Sequence, residues 1–218
     1  MIQFYHVSKT YDGRRPAIKD VSFKVGKGEF VFLTGPSGAG KTTILKLMLC
    51  AERCDDGQIL IAGRNIARLK QGDIPPLRRT VGIVFQDFKL IERKTVFDNV
   101  ALSLRILGTH EETVQKKTAT ILKSLGIYAK KDSYPRQLSG GEQQRTAIAR
   151  ALVKDPLILL ADEPTGNLDW EVSQDIMALI KDIHTQGTTV IVATHNPELI
   201  KRMPKRVLQI EGGRVKGE

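Results

Sequence analysis

Hydrophobic residues along this chain fall into two spacings. Short apolar runs, "IQFYHV" (2–7), "VSFKV" (21–25), "EFVFLT" (29–34), "QILIA" (58–62) and "VGIVF" (81–85), have the length of single strands. "EFVFLT" is apolar on both faces and reads as a buried strand ending at Gly35, with a helix following over about 42–49. From residue 95 the spacing changes. Thr95 and Asp98 form a capping pair, Val96, Phe97, Val100, Leu104 and Leu107 recur at helical intervals, and Gly108 stops the run. A second helix is predicted over about 111–125, ending at Gly126, and a third over 142–152. Apolar "LILLA" (157–161) and "TTVIVAT" (188–194) then read as buried strands flanking a helix of about 170–185. Buried strands alternating with helices predict an α/β fold with a parallel sheet, and residues 87–140 read as a helical insertion into it.

Composition narrows the class without choosing a function. The 218 residues, 41% hydrophobic, suffice for one large domain with a substantial core. A formal charge of +10 suits an anionic partner, lipid or nucleic acid, and equally an ordinary lysine-rich exterior. "MIQFYHVSKT" lacks the basic start and apolar centre of a secretion signal, and "LILLA" is the longest apolar run, far short of a membrane span. A cytosolic or peripheral protein is expected. Cys50 and Cys54 form a lone C-x3-C without a second pair, so they read as free thiols and not as a zinc site.

The chemistry begins at "GPSGAGKT", where Gly35, Pro36, Ser37, Gly38, Ala39, Gly40, Lys41 and Thr42 match G-x-x-x-x-G-K-[ST]. A chance match has odds on the order of one per cent at average residue usage. The motif also follows a strand and opens a helix, as a phosphate-binding loop must. Its backbone N–H groups and the helix N-terminus would receive phosphate oxygens, with Thr43 following in the first turn. Lys41 is expected to reach the β- and γ-phosphates of ATP and Thr42 to offer its hydroxyl to Mg2+. A metal-holding acid is needed too. "LILLADE" delivers Asp162 to the C-terminal end of a buried strand, as a water-mediated Mg2+ partner, and places Glu163 to polarise an attacking water. Taken alone, 162–164 would also suit a polar strand end; beside the phosphate loop the catalytic reading is preferred.

A third stretch, "LSGGEQQR" (138–145), puts two glycines directly before a helix, where they lower its stability. This octapeptide resembles the signature of the ATP-binding cassette (ABC) ATPases, and it lies upstream of the acid strand as in that family. The resemblance implies a P-loop NTPase core with a parallel sheet, an antiparallel β subdomain and an inserted helical subdomain. The division is then 1–86 with 141–218 for the core and 87–140 for the helical part. It implies that Ser139, Gly140, Gly141 and Glu142 of one subunit face the ATP on another's phosphate loop, the glycines being bare to admit that nucleotide. Hydrolysis would then require an ATP-bound homodimer. Further roles implied by resemblance are Gln86 as a Mg2+ contact linking core and helical lobe, His195 as the switch histidine near the γ-phosphate, and Asp169 in the dimer-contact loop "GNLD" (166–169). Asn167 stands there where many relatives carry Ser. Tyr11 sits where an aromatic commonly stacks on adenine, or else is a core tyrosine. His6, His110 and His184 match no role.

Within the family, "FLTGPSGAGKTTILKL", "IPPLRRTVGIVFQDFKLIERKTVFDNVAL" and "ADEPTGNLD" resemble the bacterial cell-division branch. That resemblance implies an integral membrane subunit as partner, docking near residues 87–107. The location would be the cytoplasmic face of the inner membrane, and ATP use would control cell-wall hydrolases. Lipoprotein-release and macrolide-export ATPases share Glu142 and Asn167 and form the alternative. Relatives acting on DNA or ribosomes carry coiled-coil insertions, zinc modules or tandem cassettes that 218 residues do not hold, so no nucleic-acid partner is expected.

Overall fold

The computed structural model describes residues 1–11, 13 and 16–217. In chain order the elements are β1 (Ile2–Thr10), β2 (Pro16–Val25), β3 (Phe30–Thr34), α1 (Lys41–Met48), β4 (Asp56–Ile61), β5 (Arg64–Asn65), α2 (Ile74–Arg79) and β6 (Val81–Val84). There follow α3 (Val96–Ile106), α4 (Glu111–Ser124), α5 (Gly140–Leu152), β7 (Ile158–Asp162), α6 (Trp170–Thr185), β8 (Thr189–Ala193), α7 (Pro197–Arg202), β9 (Arg206–Glu211) and β10 (Arg214–Gly217). Two sheets result. A four-stranded antiparallel sheet runs β2-β1-β4-β5, and a six-stranded sheet runs β10-β9-β3-β8-β7-β6. In the larger one β9, β3, β8, β7 and β6 are parallel, and only β10 pairs antiparallel, as the second half of a C-terminal hairpin.

Strand periodicity explains why the larger sheet is buried on both sides. Val31 and Leu33 of β3, Ile158 and Leu160 of β7, and Ile191 and Ala193 of β8 join one apolar cluster, shared with α1 and the antiparallel sheet. The intervening Phe30, Phe32, Leu159, Ala161, Val190 and Val192 join a second cluster with α3, α5 and α6. Continuous apolar runs are what a parallel sheet covered on both faces demands. Truncating one such fully buried leucine, Leu160 for instance, removes about 2–5 kcal/mol.

Between β6 and β7 the described elements are helical, and local chemistry sets their ends. Thr95 Oγ1 accepts from Asp98 N at 3.1 Å to cap α3, while Gly108 and Gly126 take positive φ of 71° and 68° just past α3 and α4. Some expected bounds shift. Leu157 is exposed and precedes β7, at the margin of the sheet where its amide and that of Ile158 both donate to Thr80 O. Phe85 likewise falls outside β6. α5 begins at Gly140 and not at 142, since Ser139 supplies the cap two residues earlier than the apolar spacing suggests. The short α2, α7 and β5, and the β9–β10 hairpin, are additions that the hydrophobic spacing did not indicate.

Candidate functional site

The C-terminal ends of β3, β6, β7 and β8 lie along one edge of the sheet, and each delivers a functional segment there. After β3 the chain turns sharply through Gly35, at φ 144°, where a Cβ would come within 2.1 Å of Ile210 O. At Gly40, φ 111°, a Cβ would meet Ala17 O at 2.6 Å. Only glycine fits either position. Between them, residues 37–40 curl over the N-terminus of α1, whose first residue is the buried Lys41. Lys41 Nζ donates to Gly35 O at 2.7 Å and Pro36 O at 3.2 Å, so the ammonium is held across the mouth of the loop.

β7 ends on Asp162, whose Oδ1 accepts from Thr42 Oγ1 at 3.4 Å. Burial pushes the Asp162 carboxyl above its ordinary range, and the Thr42 hydroxyl opposes that rise. Glu163 follows in the left-handed region at φ 48°, a conformation costing a non-glycine residue roughly 1–2 kcal/mol. Its N–H donates to Ala193 O at 2.9 Å, which ties the strained residue to β8. Its carboxylate, only 12% exposed, lies 2.8 Å from His195 Nδ1 and 3.9 Å from Lys41 Nζ. Gln86, just beyond β6, packs its side chain over Gly166, where a Cβ would approach Gln86 Nε2 to 3.0 Å. Asn167 Nδ2 donates to Gln86 O at 3.0 Å.

These groups line one cavity of about 290 Å3, bounded by Ala17, Ser37, Gly38, Ala39, Gly40, Lys41, Thr42, Thr43, Gln86, Asp162, Glu163 and His195. Gly35 and Pro36 do not line it; their carbonyls accept from Lys41. Ala17 is an addition: a small residue in β2 carries no chemical signal in sequence. Thr42, Asp162 and Gln86 offer hard oxygen donors of the kind Mg2+ takes, with the remaining ligands left to phosphate and water. Among the described residues no group of three His, Cys, Asp or Glu could hold a metal without such help.

Other expected site residues lie outside this cavity. Tyr11 is exposed, with Lys9 Nζ 5.6 Å from its ring centroid. Ser139 and Glu142 form a reciprocal cap at the N-terminus of α5: Ser139 N donates to Glu142 Oε2 at 2.8 Å, and Glu142 N to Ser139 Oγ at 3.3 Å. The Ser139 amide and Lys130 hold the Glu142 carboxyl below its ordinary range. Gly140 and Gly141 have an intramolecular reason to lack side chains. A Cβ at 140 would come within 2.9 Å of Leu168 Cδ2, and one at 141 within 2.7 Å of Val172 Cγ1. Packing of α5 against α6 and the loop before it is therefore a reason for bareness within one chain, and it stands beside the nucleotide approach that the resemblance implies. It is firmer at Gly141, which meets a branched valine, than at Gly140, which meets the movable end of a leucine. Asp169 caps α6, accepting from Val172 N at 2.9 Å. Gln144, fully buried, donates to Pro164 O at 2.7 Å and so joins α5 to the segment after Glu163.

Two structural residues escaped the sequence reading. Asn99 is fully buried and binds Ile91 through both its amide and its carbonyl, together with the carbonyls of Lys94 and Thr95, so it organises the loop 88–95. Arg150 donates to Phe88 O and Lys89 O. Neither type carries a signal inside a helix, where Asn and Arg are ordinarily solvated.

Comparison with known proteins agrees with this geometry. The family model describing ABC transporters matches residues 18–166. The chain is 46% identical over 216 residues to the cell division ATP-binding protein FtsE of Mycobacterium tuberculosis, covering 99% of this chain and 94% of that protein. It is 46% identical over 217 residues to FtsE of Escherichia coli K12, covering 100% and 98%. Its fold superimposes with a TM-score of 0.90 and 35% identity on a dimeric post-hydrolysis state of the ATP-binding cassette MJ0796 bound to ADP and Pi, covering 100% of this chain and 97% of that one. With two thirds of its length inside the family model and nearly all of it aligned to such relatives, this chain belongs to the ABC transporter family, on its ATP-binding side.

Proposed function

We propose that the chain is the ATP-hydrolysing subunit of a cell-division membrane complex, working as a homodimer with two composite nucleotide sites. The observation that carries this reading is a division within one subunit. The cavity gathers Lys41, Thr42, Gln86, Asp162, Glu163 and His195 but leaves residues 139–141 outside it. In this reading residues 139–141 of a second copy complete the phosphate site, and the dimeric state of the cassette MJ0796 bound to ADP and Pi supports it.

The roles follow from chemistry. The loop amides and the N-terminus of α1 bind the phosphates, and Lys41 exchanges its carbonyl partners for β- and γ-oxygens. Thr42, Asp162 and Gln86 are the residues that would hold Mg2+. When bound, Mg2+ supplies charge neutralisation at the phosphoryl oxygens. Glu163 accepts the proton of the attacking water, and His195 fixes the orientation of that carboxylate through its Nδ1 bond. Ser139 of a second copy, at the N-terminus of its α5, adds a hydroxyl and a positive helix end to the γ-phosphate.

Residues 1–86 with 141–218 form the ATPase body in this reading, and 87–140 the lobe that receives an integral membrane subunit of the FtsX kind. The complex sits at the cytoplasmic face of the membrane; no helix among the described residues is long and apolar enough to cross one. Loop 88–95 supports the docking reading, because Asn99 ties it down by hydrogen bonds while Ile91 remains 39% exposed. A Glu163→Gln chain tests the dimer. It should keep ATP binding, lose turnover by on the order of a hundredfold, and double its mass in light scattering with Mg-ATP. A chain that stays monomeric under saturating Mg-ATP would sink the composite site.

A further inference from the structure

Gln86 is the one expected metal contact that lies outside every helix and strand. It lies in the loop after β6, and the turn beyond it is conformationally unfavourable: Phe88 and Lys89 are consecutive non-glycine residues at φ 57° and 49°. Such a turn persists only where its surroundings hold it. The support comes from a distant helix. Arg150, near the C-terminal end of α5, donates through Nη2 to Phe88 O at 2.6 Å and through Nη1 to Lys89 O at 2.5 Å. Among the described residues no carboxylate pairs with this guanidinium, so both of its hydrogen-bond partners are carbonyls of the left-handed turn. On the other side of Gln86, Asn167 holds the Gln86 carbonyl itself.

We propose that Arg150 is a positioning residue for Gln86: its two-pronged grip on the Phe88 and Lys89 carbonyls fixes the turn that keeps the glutamine in the nucleotide cavity. The inference rests on reading Gln86 as a Mg2+ contact. It also gives α5 a second role. The helix that presents Ser139 at its start holds Gln86 through Arg150 near its end, roughly 16 Å further along at 1.5 Å per residue. A displacement of α5 by a nucleotide on the other subunit would thus reach the metal contact of its own subunit. Ser103 Oγ, donating to Arg150 O at 3.1 Å, anchors the same point to α3.

The test measures ATP affinity of the full-length chain with and without Mg2+, in a Glu163→Gln background so that nucleotide persists. Removing an outer-shell residue of this kind lowers metal-dependent affinity by about tenfold or more. Arg150→Ala should therefore lose about tenfold of the affinity that Mg2+ adds, with Mg2+-free affinity within about twofold of the parent. Gln86→Ala should show the same loss, and the double variant no more than either alone. Changing Phe88 and Lys89 together to glycine, which tolerates positive φ, should restore much of the loss in the Arg150→Ala chain. If Gln86→Ala loses the Mg2+ effect and Arg150→Ala keeps it, the positioning role is wrong and the metal reading stands. If Gln86→Ala keeps it in full, the metal reading fails and the proposal with it. Additive losses, or no rescue by glycine, would make Arg150 an ordinary packing contact. Should Arg150→Ala not fold, Arg150→Met carries the same comparison, since it keeps an apolar stem of similar length and removes both donors.

Discussion

At the scale of single residues, the site works by placing charges where burial makes them consequential. Lys41 is 7% exposed and satisfied only by loop carbonyls and a distant carboxylate, so its ammonium is held ready for an anion. Lys41→Ala should abolish ATP binding measured by fluorescence titration while leaving the melting temperature within a few degrees. Unchanged affinity would remove the phosphate-loop assignment. Asp162 supplies a pH signature. Burial raises its pKa, so in the nucleotide-free chain the ionised carboxylate is disfavoured by folding. Its favourable contribution is present below the unfolded pKa and is lost as pH rises through the folded one. Asp162→Asn should accordingly raise the melting temperature at neutral pH, and that gain should vanish as the pH falls through the Asp162 pKa. The Mg2+-dependent part of ATP affinity has the opposite sign: it needs the carboxylate, so it should weaken over the same acid range in the wild type. A melting-temperature gain that persists unchanged into acid would show that burial of Asp162 is not its source.

Among the elements, α5 carries the most argument. Its capping box, its glycines and its buried Gln144 all serve packing within one chain as well as any role toward a nucleotide. The two uses are separable. Gly141→Ala places a methyl group 2.7 Å from Val172 Cγ1 and should destabilise the isolated chain by about 1–3 kcal/mol in urea unfolding. Val172→Ala in the same chain should relieve most of that loss, since the clash is with one γ-methyl. If the isolated chain tolerates Gly141→Ala and only ATP-driven dimerisation suffers, the nucleotide is the sole reason for the glycine. α5 also shows how far hydrophobic spacing reaches. Its apolar stripe predicted a helix from 142, whereas the start at Gly140 was set by the hydroxyl of Ser139. β7 shows the reverse error. Leu157 is as apolar as its neighbours and reads as core, yet it sits at the sheet margin and is exposed.

For the whole molecule the decisive feature is that the cavity and residues 139–141 do not meet within one chain. A Ser139→Arg chain and a Lys41→Ala chain should each be inactive, for different reasons. Mixed, they form a heterodimer with one site carrying both lesions and one carrying neither, so part of the turnover should return. No recovery in a mixture shown to heterodimerise would mean that both halves of the site lie in one subunit or that the two sites are strictly coupled. Docking of the membrane subunit belongs to this scale too. Leu90→Glu or Ile91→Glu should prevent co-purification with an FtsX-type subunit and leave ATP-driven dimerisation intact. Both residues sit on the loop that Asn99 holds, and Ile91 is exposed. Survival of the complex with both substitutions would move the docking surface elsewhere.

The sequence alone determined what depends on short-range pattern. Strands β3, β7 and β8 were legible because burial on both faces leaves continuous apolar runs. The phosphate loop was legible because glycine, lysine and threonine at fixed offsets meet a local geometric demand, and α3 because its cap and its stop are local too. Tertiary structure decided what depends on residues far apart in the chain. It brought Glu163, His195 and Lys41 together, and it left Tyr11 outside the cavity that they line. It gave Gly140 and Gly141 a packing reason through Leu168 and Val172. It also turned Asn99 and Arg150, unremarked on their helices, into the supports of loop 88–95. The physical reason is the same in each case. A backbone carbonyl or a methyl group brought close by the fold leaves no trace at its own position in sequence, so a residue chosen to meet it looks ordinary until the contact is seen.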